Sequence, residues 1–316
     1  MRRGHRADPP RAIAPDEART PPTVVQSAVG AHIAPPDSEK PPRFLWPSYP
    51  PANYLGQLDD HYQGVLRIER DYITLEDCDF YHTSELRDGA VMAGPWDLRG
   101  REHDYTGGVE FGGTRVLELG PATGHLTFWM EAQGADVVSF DVGYDRMIDL
   151  MPSGREDFRA LRMDHVPLIG RVQNSWWYLH RDRESKARVA YGNIYDLPGD
   201  LGLFDTSVFG AILLHLRDPF TALEQAARRT RGAIVVTEPV DASLPTDTDA
   251  MRFHPTGMAE NRSVWWSFNP RAIEKMLQRL GFGNTVVTHH IQKHHFGHRM
   301  DEPAGDYPMF TVVGRP

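Results

Sequence analysis

Val116-Leu117-Glu118-Leu119-Gly120-Pro121-Ala122-Thr123-Gly124-His125-Leu126 carries an apolar strand directly into a glycine turn and then into a helical stretch. Glycine at positions 120 and 124 lets the backbone approach a ligand with no side chain intervening, as the nucleotide end of a parallel α/β sheet requires. The spacing is E-x-G-x-x-x-G. A dinucleotide fingerprint would read G-x-G-x-x-G, and Pro121 and Ala122 break it, so no pyrophosphate cradle is expected. About twenty residues further on, the run Val137-Val138-Ser139-Phe140 ends on Asp141, followed by Val142. That places one carboxylate at a strand end, where the hydroxyls of a ribose lie in such a site.

Outward from this pair of strands, short apolar runs alternate with helical stretches, the pattern of a parallel sheet with crossover helices. Strands are expected at 115–119, 135–140, 188–191, 206–213 and 232–237. A long helical insertion containing Trp176, Trp177, Tyr178 and Leu179 separates the second from the third. Residues 270–280 read as a helix, and 284–290 with 309–313 as a closing strand pair. The aromatic sets Trp176-Trp177-Tyr178 and Trp265-Trp266-Phe268 read as core. Upstream, 1–42 is rich in proline and arginine and poor in large apolar side chains, so a disordered arm is expected. Arg2, Arg3, Arg6 and Arg11 in that arm offer a grip on an anionic partner as an alternative. Residues 43–108, with a helix near 59–72, read as an extension covering the active site of a catalytic domain at 109–316.

The net charge of −9 argues against a broadly basic surface for a nucleic-acid backbone. No run reaches the roughly 18 apolar residues of a membrane span. The arginines at the start are not followed by an apolar segment, so a cytoplasmic location is expected. Cys78, the single cysteine, forms no internal disulfide and suggests no zinc site; it reads as a small buried hydrophobe.

The strand, glycine turn and strand-end aspartate, in this order, resemble the class I S-adenosylmethionine (SAM) dependent methyltransferases across about 109–316. The resemblance implies a Rossmann-like, seven-stranded mixed sheet with a reversed final strand, and SAM as cofactor. It places Gly120, Thr123 and Gly124 against the cofactor, with Glu118 near its cationic amino-acid part and Asp141 and Val142 at the ribose. The loop Asn193-Ile194-Tyr195-Asp196 would border the adenine, Asp196 taking its amino hydrogens, and Gly210 would close the floor. More narrowly, Phe209-Gly210-Ala211-Ile212-Leu213-Leu214-His215-Leu216-Arg217-Asp218-Pro219, Asn269-Pro270 and Gly94-Pro95-Trp96-Asp97 resemble the bacterial branch that includes the tRNA wobble-uridine carboxymethyltransferase. Trp96 is matched in spacing to the aromatic cofactor contact of that branch. Leu214 and Tyr307-Pro308-Met309 stand where the branch carries the tyrosine and arginine that recognise an additional carboxylate, which favours ordinary SAM.

Methyl transfer needs an oriented acceptor and at most one proton removed. His215 is the first candidate for base or acceptor partner, with capping of the following helix as its structural alternative. Glu238 is the second candidate. Arg217 suits an anionic acceptor, or an ion pair with Asp218. The run His289, His290, His294, His295 and His298 invites a metal reading, but strand alternation scatters neighbours to opposite faces, and no metal is expected. A small-molecule acceptor from specialised metabolism is the leading reading, with an RNA-modifying enzyme and a non-catalytic SAM-binding protein as alternatives. A homo-oligomer is compatible with the sequence.

Overall fold

In the computed structural model, residues 73–143, 148–151, 158–254, 262–296 and 300–316 are described. The proposed arm at 1–42 and the expected helix at 59–72 lie outside them. The chain opens with a hairpin of β1 (Ser84–Glu85) and β2 (Val91–Met92), then β3 (Trp96–Asp97) and α1 (Glu102–Tyr105). The alternating region follows as β4 (Arg115–Leu119), α2 (His125–Ala132), β5 (Asp136–Val142), α3 (Phe158–Asp182), β6 (Arg188–Gly192), β7 (Phe204–Gly210), α4 (Pro219–Ala227) and β8 (Thr230–Pro239). A small antiparallel pair, β9 (Met251–Phe253) and β10 (Trp266–Phe268), precedes α5 (Pro270–Arg279), β11 (Asn284–His294) and β12 (Gly305–Arg315).

The main sheet runs β3-β11-β12-β8-β7-β4-β5-β6. β8, β7, β4, β5 and β6 are parallel, and β12 enters antiparallel between β8 and β11. This is the expected Rossmann-like α/β architecture, with eight strands in place of seven. The eighth has a local cause: β11 continues to His294, past the expected end at 290, and its last residues pair with β3 through Lys293↔Asp97 and His294↔Trp96. The upstream extension is thereby joined to the sheet of the catalytic domain.

Central strands read as apolar runs because helices cover both faces of a parallel sheet. Val116, Leu117, Val138, Phe204, Phe209, Ile234 and Val235 are buried accordingly. Trp176 and Trp177 of α3 belong to the same core, as do Trp265 and Phe268 among the buried side chains, and Cys78 is a buried free thiol. Helix starts are set by side chains: Asp218 caps α4 by accepting from Thr221 N–H, and Asn269 caps α5 by accepting from Ala272 N–H, each with proline at the first position. No described helix is long and apolar enough to cross a membrane.

Candidate functional site

A cavity of about 430 Å³ opens at the C-terminal ends of β4, β5 and β7, where open α/β sheets take ligands. Gly120 and Ala122 of the glycine turn line it. Gly120 has φ +72°, and a Cβ there would stand 2.8 Å from Ile212 Cδ1, so its glycine is needed to seat the turn against the strap after β7. Gly124 has a different reason from the one the sequence suggested. At φ +85° its Cβ would lie 2.6 Å from both Phe128 Cε2 and Trp176 Cδ1, so close packing excludes a side chain, and Gly124 does not line the cavity.

Asp141 reaches the cavity as expected, with Val142 beside it. Its Oδ1 accepts from Val142 N–H at 2.8 Å, and its Oδ2 accepts from Gln173 Nε2 at 3.1 Å. Burial pushes its pKa up to about 6, against the pull of those two hydrogen bonds. Each carboxylate oxygen retains acceptor capacity, which is the requirement of a vicinal diol. The arrangement therefore fits a ribose.

Glu118 does not reach the cavity. Its Oε2 accepts from the hydroxyls of Thr127 and Ser139, the latter at 2.8 Å, and burial raises its pKa to about 7. It ties β4 to α2 and β5 beneath the turn. Thr123 also lies behind the lining, with its hydroxyl oxygen accepting His82 N–H at 3.2 Å. The loop after β6 departs from expectation as well. Asn193 Oδ1 accepts Tyr195 N–H, Tyr195 gives its hydroxyl hydrogen to Asp149, and Asp196 is exposed. Ile194 packs on the core, and none of the four lines the cavity. Ile148 and Asp149 together with Leu168, Ile169 and Val172 of α3 form that wall instead.

Gly210 lines the end of β7, where a Cβ would press on Tyr105 and Leu126 at 3.2 and 3.3 Å. Beyond it, His215 ends a single 3-10 turn, Leu213–His215, and faces the cavity. Its Nδ1 lies 2.7 Å from the Ser263 carbonyl oxygen. A carbonyl only accepts, so Nδ1 carries the hydrogen and Nε2 keeps its lone pair. Burial lowers the His215 pKa, keeping the ring neutral. His215 is not a helix cap, since Asp218 fills that position.

Glu238 lies behind this turn and outside the cavity lining. Its Oε1 accepts Leu213 N–H at 2.9 Å, and burial pushes its pKa up to about 8. Geometry thus gives it a hold on the His215 turn, with no access to an acceptor. Arg217 is exposed and stacks over the Trp265 ring at 5.1 Å from its centroid, while its N–H donates to Asp149. It neither lines the cavity nor pairs with Asp218.

The upstream segment supplies the aromatic wall: Phe80, Tyr81, His82, Trp96 and Tyr105 all line the cavity. Trp96, expected there, is held edge-on to His294 and Tyr307 at 4.5 and 4.7 Å, and its Nε1–H donates to the Tyr81 hydroxyl at 3.1 Å. The sequence gave no period or motif that singled out Tyr81, His82, Tyr105 or Ser263. The signal available was the density of aromatic residues just before Gly94-Pro95-Trp96. Among the described residues no cluster of three metal-ligating side chains occurs. His289 and His290 face different neighbours, Phe310 and Thr311.

The model of a methyltransferase domain family matches residues 92–287. No curated protein matches the chain significantly. Among solved structures, the chain is similar to the N-terminal domain of EvdMO1 with S-adenosylhomocysteine (SAH) bound, at 20% identity over 68% of this chain and 77% of that one, TM-score 0.37. It is also similar to the Burkholderia thailandensis 1,6-didemethyltoxoflavin N1-methyltransferase with its acceptor and SAH bound, at 13% identity over 67% and 73%, TM-score 0.40. A third similar structure is the magnesium protoporphyrin IX methyltransferase of Synechocystis PCC 6803 with SAH, at 13% identity over 65% and 75%, TM-score 0.38.

Proposed function

The chain belongs to the methyltransferase domain family, and from that premise we propose that it carries the methyl group of SAM to a small apolar or aromatic acceptor. The observation that carries the acceptor class is the composition of the cavity wall. Phe80, Tyr81, Trp96 and Tyr105 present flat apolar surface, with Leu98, Leu168, Ile169 and Val172 between them. Such a wall rewards a planar or apolar guest by area removed from water and by ring contacts.

SAM supplies a sulfonium methyl that is already electrophilic. What remains for the protein is to position two partners, exclude water and take a proton. Asp141 would hold the ribose diol, with Val142, Gly120, Gly210 and Trp96 bounding the cofactor. His215, held with its Nδ1 hydrogen on the Ser263 carbonyl, would accept the proton at Nε2. Glu238 supports it as a positioning residue through the Leu213 amide. Leu214 and the stretch Tyr307-Pro308-Met309 in place of the carboxylate-recognising tyrosine and arginine favour ordinary SAM, and this weighs against the carboxymethylating tRNA branch.

The test is to incubate the protein with methyl-labelled SAM and separated small-molecule, RNA and protein fractions of a bacterial extract. Label is expected in the small-molecule fraction, on an apolar or aromatic compound. Label confined to RNA would replace this reading with the RNA-modifying one.

A further inference from the structure

Two neutral hydrogen-bond donors meet on the wall of the cavity, and neither is used by the fold. Tyr81 and His82 are consecutive, both line the cavity, and their rings meet edge-to-face at 5.0 Å. The Tyr81 oxygen accepts Trp96 Nε1–H at 3.1 Å, which occupies a lone pair and leaves the hydroxyl hydrogen to be donated elsewhere. No acceptor for that hydrogen is found among the described residues.

His82 is fixed twice by Thr123. The Thr123 oxygen accepts His82 backbone N–H at 3.2 Å, and the ring Nδ1 lies 3.2 Å from the same oxygen. Thr123 is wholly buried, so its hydroxyl hydrogen needs an acceptor, and His82 Nδ1 is the one in range. An Nδ1 that accepts puts the ring hydrogen on Nε2. Burial, with His125 nearby, drives the His82 pKa down to about 3, so the ring is neutral and Nε2–H is a plain donor. His125 itself faces away, bonded through Nε2 to Glu102 Oε1 at 3.0 Å.

We infer that Tyr81 and His82 form a two-donor grip for the carboxylate at the amino-acid end of the methyl donor. A carboxylate accepts and cannot donate, which matches two donors with no acceptor beside them. Thr123, to which His82 is tied, sits inside the 120–124 turn that the cofactor crosses, whereas His215 is tied to Ser263 on the far strap. The grip therefore belongs to the donor rather than to the acceptor. It rests on the reading of the cavity as a SAM site and adds the residues that read the amino-acid end.

The experiment is calorimetric titration of the full chain and its Tyr81→Phe and His82→Gln variants with two ligands. One is SAH; the other is its 3-aminopropyl analogue, in which a hydrogen replaces the carboxylate. The unaltered protein should prefer SAH, and each variant should lose about tenfold in SAH affinity while binding the analogue within about twofold of the unaltered protein. Any packing cost from the Trp96 indole or Thr123 losing a partner falls on both ligands alike and cancels in the ratio. Equal affinity of the unaltered protein for both ligands, or equal losses for both in each folded variant, would overturn the grip while leaving the SAM site standing. Binding of neither ligand by the unaltered protein would overturn both.

Discussion

Replacing Asp141 by asparagine should make the ligand-free protein more stable and the cofactor weaker at once. Burial moves this carboxyl from an ordinary 3.8 to about 6. At ~1.4 kcal/mol per pH unit, the ionised form is about 3 kcal/mol costlier in the fold than in the unfolded chain. The raised pKa fixes the sign: the cost is absent below the unfolded value, grows as pH rises from about 4 to about 6, and is complete near neutrality. The introduced amide keeps an oxygen for Val142 N–H. Its NH2 meets Gln173, whose buried Oε1 has no partner and can turn to accept it, at the loss of the bond to Val142 O. The net gain near neutral pH is then about 2 kcal/mol, or a melting temperature higher by roughly 4 °C or more. SAH affinity should fall by about 1.5–3 kcal/mol, roughly ten- to a hundredfold, for lost hydrogen bonds to a charged group. Thermal melts at mildly acidic and neutral pH, with calorimetry on the same samples, read both effects. A stability difference that does not shrink toward pH 4, or an SAH affinity that does not change, would refute the reasoning.

His215→Ala should lower turnover by about 10²–10⁴ with SAH affinity nearly unchanged, and the wild-type rate should fall on the acid side only below the ordinary imidazole range, since burial lowers this pKa. Full activity in the folded variant would remove His215 from the reaction. Glu238→Ala should cost about 1–3 kcal/mol in denaturant unfolding by stripping the buried Leu213 amide of its acceptor, and should slow turnover through His215. Glu238→Gln, which keeps an acceptor, should restore both; failure to do so would show that the carboxyl has another role. Gly124→Ala should destabilise by about 3 kcal/mol or more, combining a left-handed φ with a Cβ pressed into Phe128 and Trp176, and a melt within a degree of wild type would contradict the packing seen there.

The parallel core was legible because its chemistry is local. The apolar run at 115–119 meets β4 at both ends, and a carboxylate following Phe140 falls where β5 reaches the cavity. Trp96, Gly120, Val142, Gly210 and His215 were placed correctly for the same reason: each sits on or beside a strand end whose position the alternation of strands and helices fixes. The misplaced residues share a different cause. Glu118 was assigned to a ligand by its position after a strand, yet two hydroxyls that are distant in sequence, on Thr127 and Ser139, claim it first. Gly124 was read as ligand clearance although Trp176, about fifty residues away in the long insertion, sets the constraint. That insertion also displaces the 193–196 loop from the cavity by supplying Leu168, Ile169 and Val172 in its stead. The eighth strand needed the pairing of two residues at 96–97 with the far end of β11, a contact that no local pattern announces. Short-range periodicity thus located the sheet, whereas long-range capture of polar groups decided which side chains were left for the ligand.

The central claim, that this cavity is a SAM site with an acceptor pocket beside His215, is tested most directly by a co-crystal structure with SAH. The ribose hydroxyls should lie within hydrogen-bond distance of both Asp141 carboxylate oxygens, with the thioether sulfur open toward the side of the cavity that His215 and the aromatic wall share. SAH bound elsewhere on the protein, or a cavity that stays free of it at concentrations that saturate calorimetric binding, would contradict the account.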